Sequence, residues 1–400
     1  MNTNPRAPLA ESDLKTVLIA GAGNIGSGLP TMIGRIPNIG KVLFVDPQVY
    51  EEKNLRGQDI SRSDVGKPKA LVQARRLRRV NPAIDARAFC ERIEDLPLGV
   101  MQVDSILSCV DSWGVRQYIN QGAWHLGVPW IDAAVDASGL LVRVNVYLPG
   151  ADSICAECGW DEEDYRIAAL EQPRPCEVGG GGPAATNAPV SLGLIAAGLI
   201  ATECQKLLSG DHEHLLAGRQ VMLDLRDHTH FVTAFRRTHC RFNHEIWVVE
   251  PREASPAAVT LGQALGWAGN GSGSVEGCEL RVEGQPFART QFCPACGNHE
   301  TIGLCLAHRI PPARRRCPAC GGATVVRGFD MREAVGSAGL DREELRRPLS
   351  ALGVQTGDVV SVSIHGVAGG KHFVLGESTS KRAGDRRQAA RPPLSQSVRS

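Results

Sequence analysis

The sequence has few aromatic residues and almost no net charge, and both shortages exclude classes of function. Trp, Tyr and Phe make up 5% of the 400 residues, too few to suggest a surface on which the bases of a nucleic acid stack. Lysine and arginine (44) nearly balance aspartate and glutamate (43), so no overall positive field attracts a polyanion. Nucleic acid is therefore not an expected partner.

Long apolar stretches are also scarce. The residues up to Leu14 are polar and lack the apolar segment of a signal peptide. The longest apolar stretch, residues 188–201, is too short to cross a bilayer and runs into Glu203 and Lys206, so it predicts a buried helix. We expect no membrane association. Thirteen cysteines, several of them in pairs with metal-ligand spacing, fit zinc sites and a reducing cytoplasm.

What the sequence does contain is organised around a glycine-rich turn between two apolar segments. Residues 17–20 are apolar, a helix-like segment follows the turn, and the apolar run 41–45 ends in Asp46. The turn itself reads Gly21-Ala22-Gly23-Asn24-Ile25-Gly26. Strand, glycine turn, helix, strand and acid is the layout that binds the phosphates and ribose of a nucleotide. This motif alone does not separate NAD, FAD and ATP.

Repeated strand–helix units follow this motif. A basic helix should begin near Gly66, with Asp64 as its cap, and end at Asn81-Pro82. Strands are expected over 86–90, 103–110 and 128–132, a helix over 114–126, and an antiparallel strand over 140–147. The pattern predicts an α/β fold with a Rossmann-like open sheet and ligands at the carboxyl ends of its strands.

Several further motifs, in this order, resemble the ThiF/MoeB/E1 superfamily of ATP-dependent enzymes that activate ubiquitin-like proteins. They are the glycine turn, Asp46, Asn54-Leu55, Gly66-Lys67-Pro68-Lys69-Ala70, and Cys109-Val110-Asp111-Ser112 with Arg116. The resemblance covers about residues 14–250. An NAD-dependent dehydrogenase would explain the glycine turn but not the rest of this set.

The resemblance implies that a C-terminal carboxylate of a ubiquitin-like or sulfur-carrier protein joins the α-phosphate of ATP. Lys69 matches the lysine that contacts the phosphates, and Asp111 matches the acid that holds Mg²⁺. Asp111 could instead cap a helix. The positions expected to bind ATP are Gly21, Gly23, Asn24, Gly26, Asp46, Asn54, Arg56, Gln58, Lys69 and Asp111. Because relatives are mostly homodimers, a homodimer is expected as well.

One of these positions departs from the family pattern. The family usually reads Asn-Leu-x-Arg-Gln, whereas this chain reads Asn54-Leu55-Arg56-Gly57-Gln58, with the arginine one position early. Arg56 either reaches the phosphates by another path or is an exposed loop residue, and Gln58 alone would then be retained. The departure keeps open a catalytically inactive scaffold with the same fold.

The candidate nucleophile is Cys176. Prolines precede it and a glycine run follows it, which predicts an irregular loop. In relatives a cysteine in this loop takes the activated carboxyl group as a thioester or carries sulfur as a persulfide. An acyl-adenylate is readily attacked by a thiolate, so Cys176 fits this role; the alternative is an inert loop thiol.

Two sets of cysteines predict zinc sites. Cys155 and Cys158 form one half-site, and the resemblance places a second half-site where Cys240 and His244 lie. The second set, Cys293, Cys296, Cys317 and Cys320, forms two CPxC knuckles, which is a strong signal for a zinc ribbon. Cys305 and His308 lie between these knuckles and are alternative ligands.

The expected organisation has six parts. They are a flexible N-terminus (1–13), an adenylation domain (14–250), a linker (251–285), the zinc ribbon (286–327), a small module (328–377) and a disordered tail (378–400). The expected activity is ATP-dependent adenylation of a carrier protein. The alternatives are adenylation of a non-carrier substrate such as tRNA or a peptide, and the inactive scaffold.

Overall fold

The computed structural model of the protein describes residues 13–171, 188–234, 240–269, 275–367 and 369–376. The first group of elements is β1 (Lys15–Ala20), α1 (Pro30–Ile33), β2 (Ile39–Val45), α2 (Lys69–Val80), β3 (Asp85–Phe89), β4 (Ser105–Ser108), α3 (Trp113–His125), β5 (Trp130–Asp136), β6 (Leu141–Tyr147), α4 (Glu162–Glu171), α5 (Val190–Ser209), β7 (Arg219–Asp224) and β8 (Thr229–Ala234). Their order confirms the α/β fold.

These strands form one mixed sheet of eight strands in the order β3-β2-β1-β4-β5-β6-β7-β8. The first five are parallel, and β6, β7 and β8 continue the sheet in antiparallel fashion. The carboxyl ends of β1, β2 and β4 therefore meet at one edge. Because chain order reverses between β1 and β4, this edge carries the crevice in which open α/β sheets bind ligands.

Both faces of the central strand are buried. Val17 and Ile19 pack in a cluster with residues of α1, α2 and α5, whereas Leu18 and Ala20 pack in a second cluster with residues of α3. Neighbouring side chains of a strand point to opposite faces, so residues 17–20 of β1, which are buried on both faces, must all be apolar. This explains the continuous apolar run before the glycine turn.

Helix α5 has the length and composition of a membrane-spanning helix. In this fold it packs on the sheet, and Leu192, Ala196 and Ile200 are buried in the same cluster as β1. The predicted buried helix is confirmed.

Two local predictions were wrong. The helix after the glycine turn is limited to Pro30–Ile33, and residues 24–29 form turns instead. Gly26 and Gly28 disfavour a helix, and Pro30 is well accommodated only in the first turn of a helix, so the helix begins at this proline. Asp64 does not cap α2: its carboxylate accepts from the Ser61 N–H at 2.9 Å and closes a separate short turn.

The C-terminal elements are β9 (Val249–Glu253), α6 (Leu261–Leu265), β10 (Cys278–Val282), β11 (Phe287–Phe292), β12 (His299–Leu306), β13 (Val335–Gly336), α7 (Arg342–Arg346), β14 (Val359–Ile364) and β15 (Lys371–Gly376). Five of the strands form a second sheet in the order β13-β10-β14-β15-β9. The β11–β12 hairpin is inserted between β10 and β13; it carries the first CPxC knuckle in its loop, and the second knuckle follows β12.

The segment 251–285, predicted to be a linker, forms part of the folded C-terminal region. It contains most of β9, all of α6 and β10, and Leu261, Ala264 and Leu265 are fully buried. Their spacing places them on one face of a short helix, which a reciprocal pair of hydrogen bonds between Thr260 and Gln263 caps. Residues 1–12 and 378–400 lie outside the described residues.

The second sheet is attached to the first domain. The Gly99 N–H donates to the Gly357 carbonyl at 2.9 Å, and Gln285 Nε2 donates to the Glu94 carbonyl at 2.7 Å. Val359 packs in the apolar cluster that includes residues of α3. The C-terminal part therefore shares a core with the nucleotide-binding fold.

Candidate active site and cysteine clusters

The glycine turn is shaped by close backbone contacts that only glycine permits. Gly21 has φ of +89°, and a Cβ atom there would lie 2.6 Å from the Cys109 carbonyl oxygen. A Cβ atom on Gly26 would lie 2.0 Å from the Gly21 carbonyl oxygen. At Gly23 the nearest atom is Nε2 of Gln58 at 3.9 Å, so this glycine leaves open space beside the turn.

Asp46, which directly follows β2, is hydrogen-bonded to the glycine turn. One carboxylate oxygen accepts from the Ala22 N–H at 2.7 Å, and the other accepts from the Gln48 N–H at 2.8 Å. The residue is 6% exposed, and burial raises the pKa of its carboxyl group despite these hydrogen bonds. Each oxygen keeps a further acceptor position, which is what a ribose hydroxyl would need.

Lys69 is the first residue of α2 and is 5% exposed. Its Nζ donates to Oε1 of Gln48 at 2.7 Å and lies 5.5 Å from the centre of the Tyr50 ring. Burial lowers the pKa of Lys69, while the negative charges of Asp46 and Asp111 act in the opposite direction. The fold has thus brought one lysine and two carboxylates, from three separate segments, to the same edge of the sheet.

Asp111 is exposed between β4 and α3 and does not cap the helix. Ser112 is the cap, because its Oγ accepts from the Val115 N–H at 3.2 Å. Within the described ranges, the Asp111 carboxylate has neither a hydrogen-bond partner nor an ion-pair partner. The capping alternative is wrong, and an oxygen ligand beside the glycine turn is available for a divalent cation.

Two of the expected ATP-binding residues have structural partners. Asn24 Nδ2 donates to the carbonyls of Ala188 and Pro189 at 3.1 and 3.2 Å, and Asn54 Oδ1 accepts from the Glu51 N–H at 2.8 Å. Both residues are more than 90% buried. Their side chains hold the loops around the turn in place.

Arg56 and Gln58 differ from these two. Arg56 is exposed beside the candidate site. The Oε1 atom of Gln58 is buried and lacks a hydrogen-bond partner in the described part of the chain. A buried polar atom without a partner is costly, so this oxygen and the space next to Gly23 favour a polar ligand above the turn.

An ionic cluster below Asp111 was not predicted. Asp132 is almost fully buried and accepts from Arg116 at 3.1 Å, Arg143 at 3.3 Å and Ser108 at 3.0 Å. Arg116 also donates to the Val110 carbonyl at 2.6 Å, directly before Asp111. The sequence offered only an acid within a buried strand as a signal, and its two arginine partners lie 16 and 11 residues away.

Gln48 and Tyr50 were missed as well. Tyr50 donates to the Ala22 carbonyl at 2.7 Å and lies beneath Lys69, and Gln48 receives the lysine ammonium group. Both follow Asp46 in a polar loop, where the sequence contains no periodic signal. Their role became visible only when the loop was seen to fold back over the turn.

The first cysteine cluster comprises Cys155, Cys158, Cys240 and His244, as predicted. His244 Nε2 lies 3.2–3.5 Å from the three sulfur atoms, and the sulfur atoms of Cys155 and Cys240 are 3.6 Å apart. A tetrahedral zinc ion with usual bond lengths separates its ligands by about 3.4–3.8 Å. The four ligand atoms therefore fit such an ion, and the sulfur separations exclude disulfides.

The second cluster comprises Cys293, Cys296, Cys317 and Cys320. Sulfur separations of 3.5 Å between Cys293 and Cys320 and 3.6 Å between Cys296 and Cys317 also fit a tetrahedral ion. Cys305 is buried against the Ala288 carbonyl, outside this cluster. The symmetric knuckles are thus the residues that the fold brings together. Cys176, the candidate nucleophile, lies outside the described residues.

Comparison with known proteins agrees with this site. Residues 10–244 match the ThiF family. The chain is 30% identical over 197 residues to the sulfur carrier protein ThiS adenylyltransferase of Escherichia coli, covering 48% of this chain and 72% of that protein. It is 27% identical over 231 residues to ubiquitin-like modifier-activating enzyme 5 of Dictyostelium discoideum, covering 52% and 57% respectively.

A crystal structure of E. coli MccB with ATP is also similar, with 21% identity, a TM-score of 0.45, and coverage of 57% of this chain and 65% of that one. The chain spans little more than half the length of the activating enzymes that it matches. Because the family match covers more than half of the chain and includes the glycine turn, Asp46, Lys69 and Asp111, this protein belongs to the ThiF family.

Proposed function

We propose that this protein is an ATP- and Mg²⁺-dependent adenylyltransferase that activates the C-terminal carboxylate of a ubiquitin-like or sulfur-carrier protein. The observation that supports this most directly is the meeting of Lys69, Asp46 and the exposed Asp111 beside the glycine turn. The names of the relatives, a ThiS adenylyltransferase and ubiquitin-like modifier-activating enzymes, support the carrier as substrate.

The chemistry accounts for each of these residues. A carboxylate oxygen of the carrier attacks the α-phosphorus, a new P–O bond forms, and the bond to the β-phosphate breaks as pyrophosphate leaves with its electron pair. Two anions must approach each other, so Lys69, and Arg56 if it turns inward, would lower the repulsion. Mg²⁺, bound by Asp111, would neutralise phosphate charge. Asp46 would orient the ribose and the glycine turn would accept the phosphates.

Cys176 is proposed to receive the activated carboxyl group. Its thiolate would attack the carbonyl carbon of the acyl-adenylate, form a thioester and release AMP. In a sulfur-transfer pathway the same thiolate would instead take the outer sulfur of a donor persulfide, whose own sulfur would leave as a thiolate. The loop joins α4 to α5, and Ala188 at its end accepts a hydrogen bond from Asn24. The described end of this loop, at Ala188, therefore lies beside the glycine turn.

Both cysteine clusters are proposed to bind structural Zn²⁺. Each offers four ligands and leaves no open coordination position, which is typical of structural rather than catalytic zinc. Cys155 and Cys158 lie between β6 and α4, and Cys240 and His244 lie just before β9. The first ion would therefore join the nucleotide-binding fold to the start of the C-terminal sheet.

A homodimer is proposed from an exposed apolar surface. Phe231 and Val232 of the edge strand β8 are 55% and 53% exposed, and Ile195 on α5 is 36% exposed. An edge strand that is open on both faces and apolar usually has a partner in solution. Light scattering should give twice the chain mass, and Val232→Glu should give a monomer.

The test of the main proposal is ATP–pyrophosphate exchange with purified protein, Mg²⁺ and candidate carrier proteins from the same source. Exchange should require one carrier, and Lys69→Ala and Asp111→Ala should each lower it by at least ~100-fold, the usual cost of losing one group that stabilises transition-state charge. Arg35→Ala is the control, since Arg35 is an exposed cation whose side chain, among the described residues, bonds only to the Thr31 carbonyl.

The other outcomes separate the alternatives. Measurable ATP binding without exchange for any carrier would favour a peptide or tRNA substrate. Absence of ATP binding would end the enzyme proposal and leave the scaffold. A carrier adduct that is released by reductant and is missing in Cys176→Ala would identify the nucleophile; an adduct that persists in this variant would show that Cys176 is not required.

A further inference from the structure

A cleft of about 310 Å³ lies between α2 and the loop before it. No residue of the glycine turn lines it, although Asp59 and Arg76 of its lining bond to Ser27, which follows the turn. It is lined by Asp59, Ile60, Ser61, Asp64, Lys67, Val72, Arg75, Arg76 and Arg79. Lys69 and Gln73 of the same helix point elsewhere, toward Gln48 and Tyr50. The cleft is therefore separate from the candidate active site, although the two share a helix.

The cations around the cleft outnumber the acids by two. Arg76 is paired with Asp59 at 2.6 Å, so these two charges compensate each other. Hydrogen bonds from Ser61 and the nearby charges of Lys67 and Arg76 lower the pKa of Asp64, so its carboxylate compensates part of the Lys67 charge. Arg75 and Arg79 are exposed and have no ion-pair partner in the part of the chain that the structure describes. The charge of these two arginines is available to a ligand.

The composition of α2 explains why this charge remains uncompensated. The helix contains five cations and no acid, so it lacks the acid–base pairs that normally cover a solvated helical face. Arg75 and Arg79 are four residues apart and therefore neighbours, where like charges repel in a free helix. An anion between them removes that repulsion, and a guanidinium group offers two parallel donors to phosphate oxygens.

We propose that this cleft binds a compact multivalent phosphate anion, of the class of inorganic polyphosphates. The volume suits one small ligand better than the surface of a folded partner. The inference goes beyond the proposed adenylation and does not depend on it. Because the lining residues from Asp59 to Lys67 connect Gln58 to Lys69, a bound anion would also hold this connection in one conformation and stabilise the folded chain by mass action.

Isothermal titration of the full chain with sodium tripolyphosphate, without divalent metal, tests this. We expect Arg75→Gln/Arg79→Gln to weaken binding at least tenfold. The matched control is Arg35→Gln/Arg78→Gln, which removes the same charge from two exposed arginines outside the cleft. In the described part of the chain, both arginines bond only to backbone carbonyls. The control should bind within threefold of the wild type, and Lys69→Ala, whose altered residue lies in the nucleotide site, should retain the binding event that the cleft variant weakens.

Three results would overturn the proposal. Loss of binding in Lys69→Ala with retention in the cleft variant would place the anion in the nucleotide site. Equal loss in the cleft variant and in the control would show unspecific attraction. Millimolar or weaker binding to all four proteins would mean that no small-anion site exists, including the case in which only an acidic protein binds there. Pyrophosphate as a second titrant distinguishes a reaction product from a longer polyphosphate.

Discussion

Replacement of Asp132 by alanine tests the buried ionic cluster beneath the candidate active site. The substitution removes three hydrogen bonds to one carboxylate and leaves Arg116, whose side chain is 9% exposed, without its counter-charge. Breaking a buried pair in this way costs about 3–5 kcal/mol. This figure leaves out the ion pair between Arg143 and Asp132, because the Arg143 side chain is 24% exposed and solvent screens its charge.

Urea unfolding followed by tryptophan fluorescence is the assay, because Trp124 and Trp130 are fully buried on either side of this region. Asp136→Ala is the matched control. Asp136 lies at the exposed end of the same strand, and its carboxylate accepts only from Ser138 and Gly139 among the described residues. The control should change the free energy of unfolding by less than about 1 kcal/mol.

The same substitution should affect metal binding. Arg116 holds the Val110 carbonyl, so its release would displace the backbone next to Asp111. We expect Asp132→Ala to require several-fold more Mg²⁺ for half-maximal exchange, and Asp132→Asn, which keeps the shape, to lie between it and the wild type. If the free energies of unfolding of Asp132→Ala and Asp136→Ala differ by less than about 1 kcal/mol, the ionic cluster does not contribute the stability assigned to it.

Three further results are expected. Gly26→Ala should lose more than about 2 kcal/mol of stability, because the new Cβ atom would lie 2.0 Å from the Gly21 carbonyl oxygen, and ATP should no longer raise its melting temperature. The control is Gly198→Ala in helix α5, where a Cβ atom would have no neighbour within 4 Å; this variant should be neutral or stabilising. Cys240→Ser should lower the zinc content from about two ions to one per chain by mass spectrometry, and an unchanged content would remove Cys240 from the ligands. Burial lowers the pKa of His125 to about 4. Because the unfolded chain then binds the proton more tightly than the folded chain, the free energy of unfolding should fall by up to about 3 kcal/mol as the pH drops from about 6.5 to about 4. His125→Phe should flatten this loss in pH-dependent denaturation, and an unchanged slope would contradict the assignment.

Features set by neighbouring residues were predictable. The apolar run before the glycine turn, the alternation in β6 and the CPxC knuckles each depend on a few consecutive side chains, and the structure places all three as expected. The glycine turn is the clearest case, because the positive φ of Gly21 and the close contact at Gly26 exclude other residues for local steric reasons.

Other features were decided by tertiary structure. Asn24 reads as a ligand residue within the turn, but its amide bonds to a carbonyl 164 residues further along the chain. Asp111 and Ser112 are adjacent, and which of them caps α3 could be decided only once the start of the helix was known. The segment expected to be a linker includes most of β9, and this strand pairs with β15, which lies near the C-terminal end of the described chain.

The physical reason is the range of the forces involved. Steric limits on φ, side-chain alternation and ligand spacing act over a few residues, so the sequence by itself determined the glycine turn, the strands and the CPxC knuckles, whereas the partner half-site of Cys155 and Cys158 came from the family resemblance. Strand pairing, buried charge compensation and the cleft beside α2 depend on which distant segments share a core. Those were settled only by the folded arrangement, in which Asp132 meets its two arginines, and Arg75 and Arg79 of α2 have no ion-pair partner among the described residues.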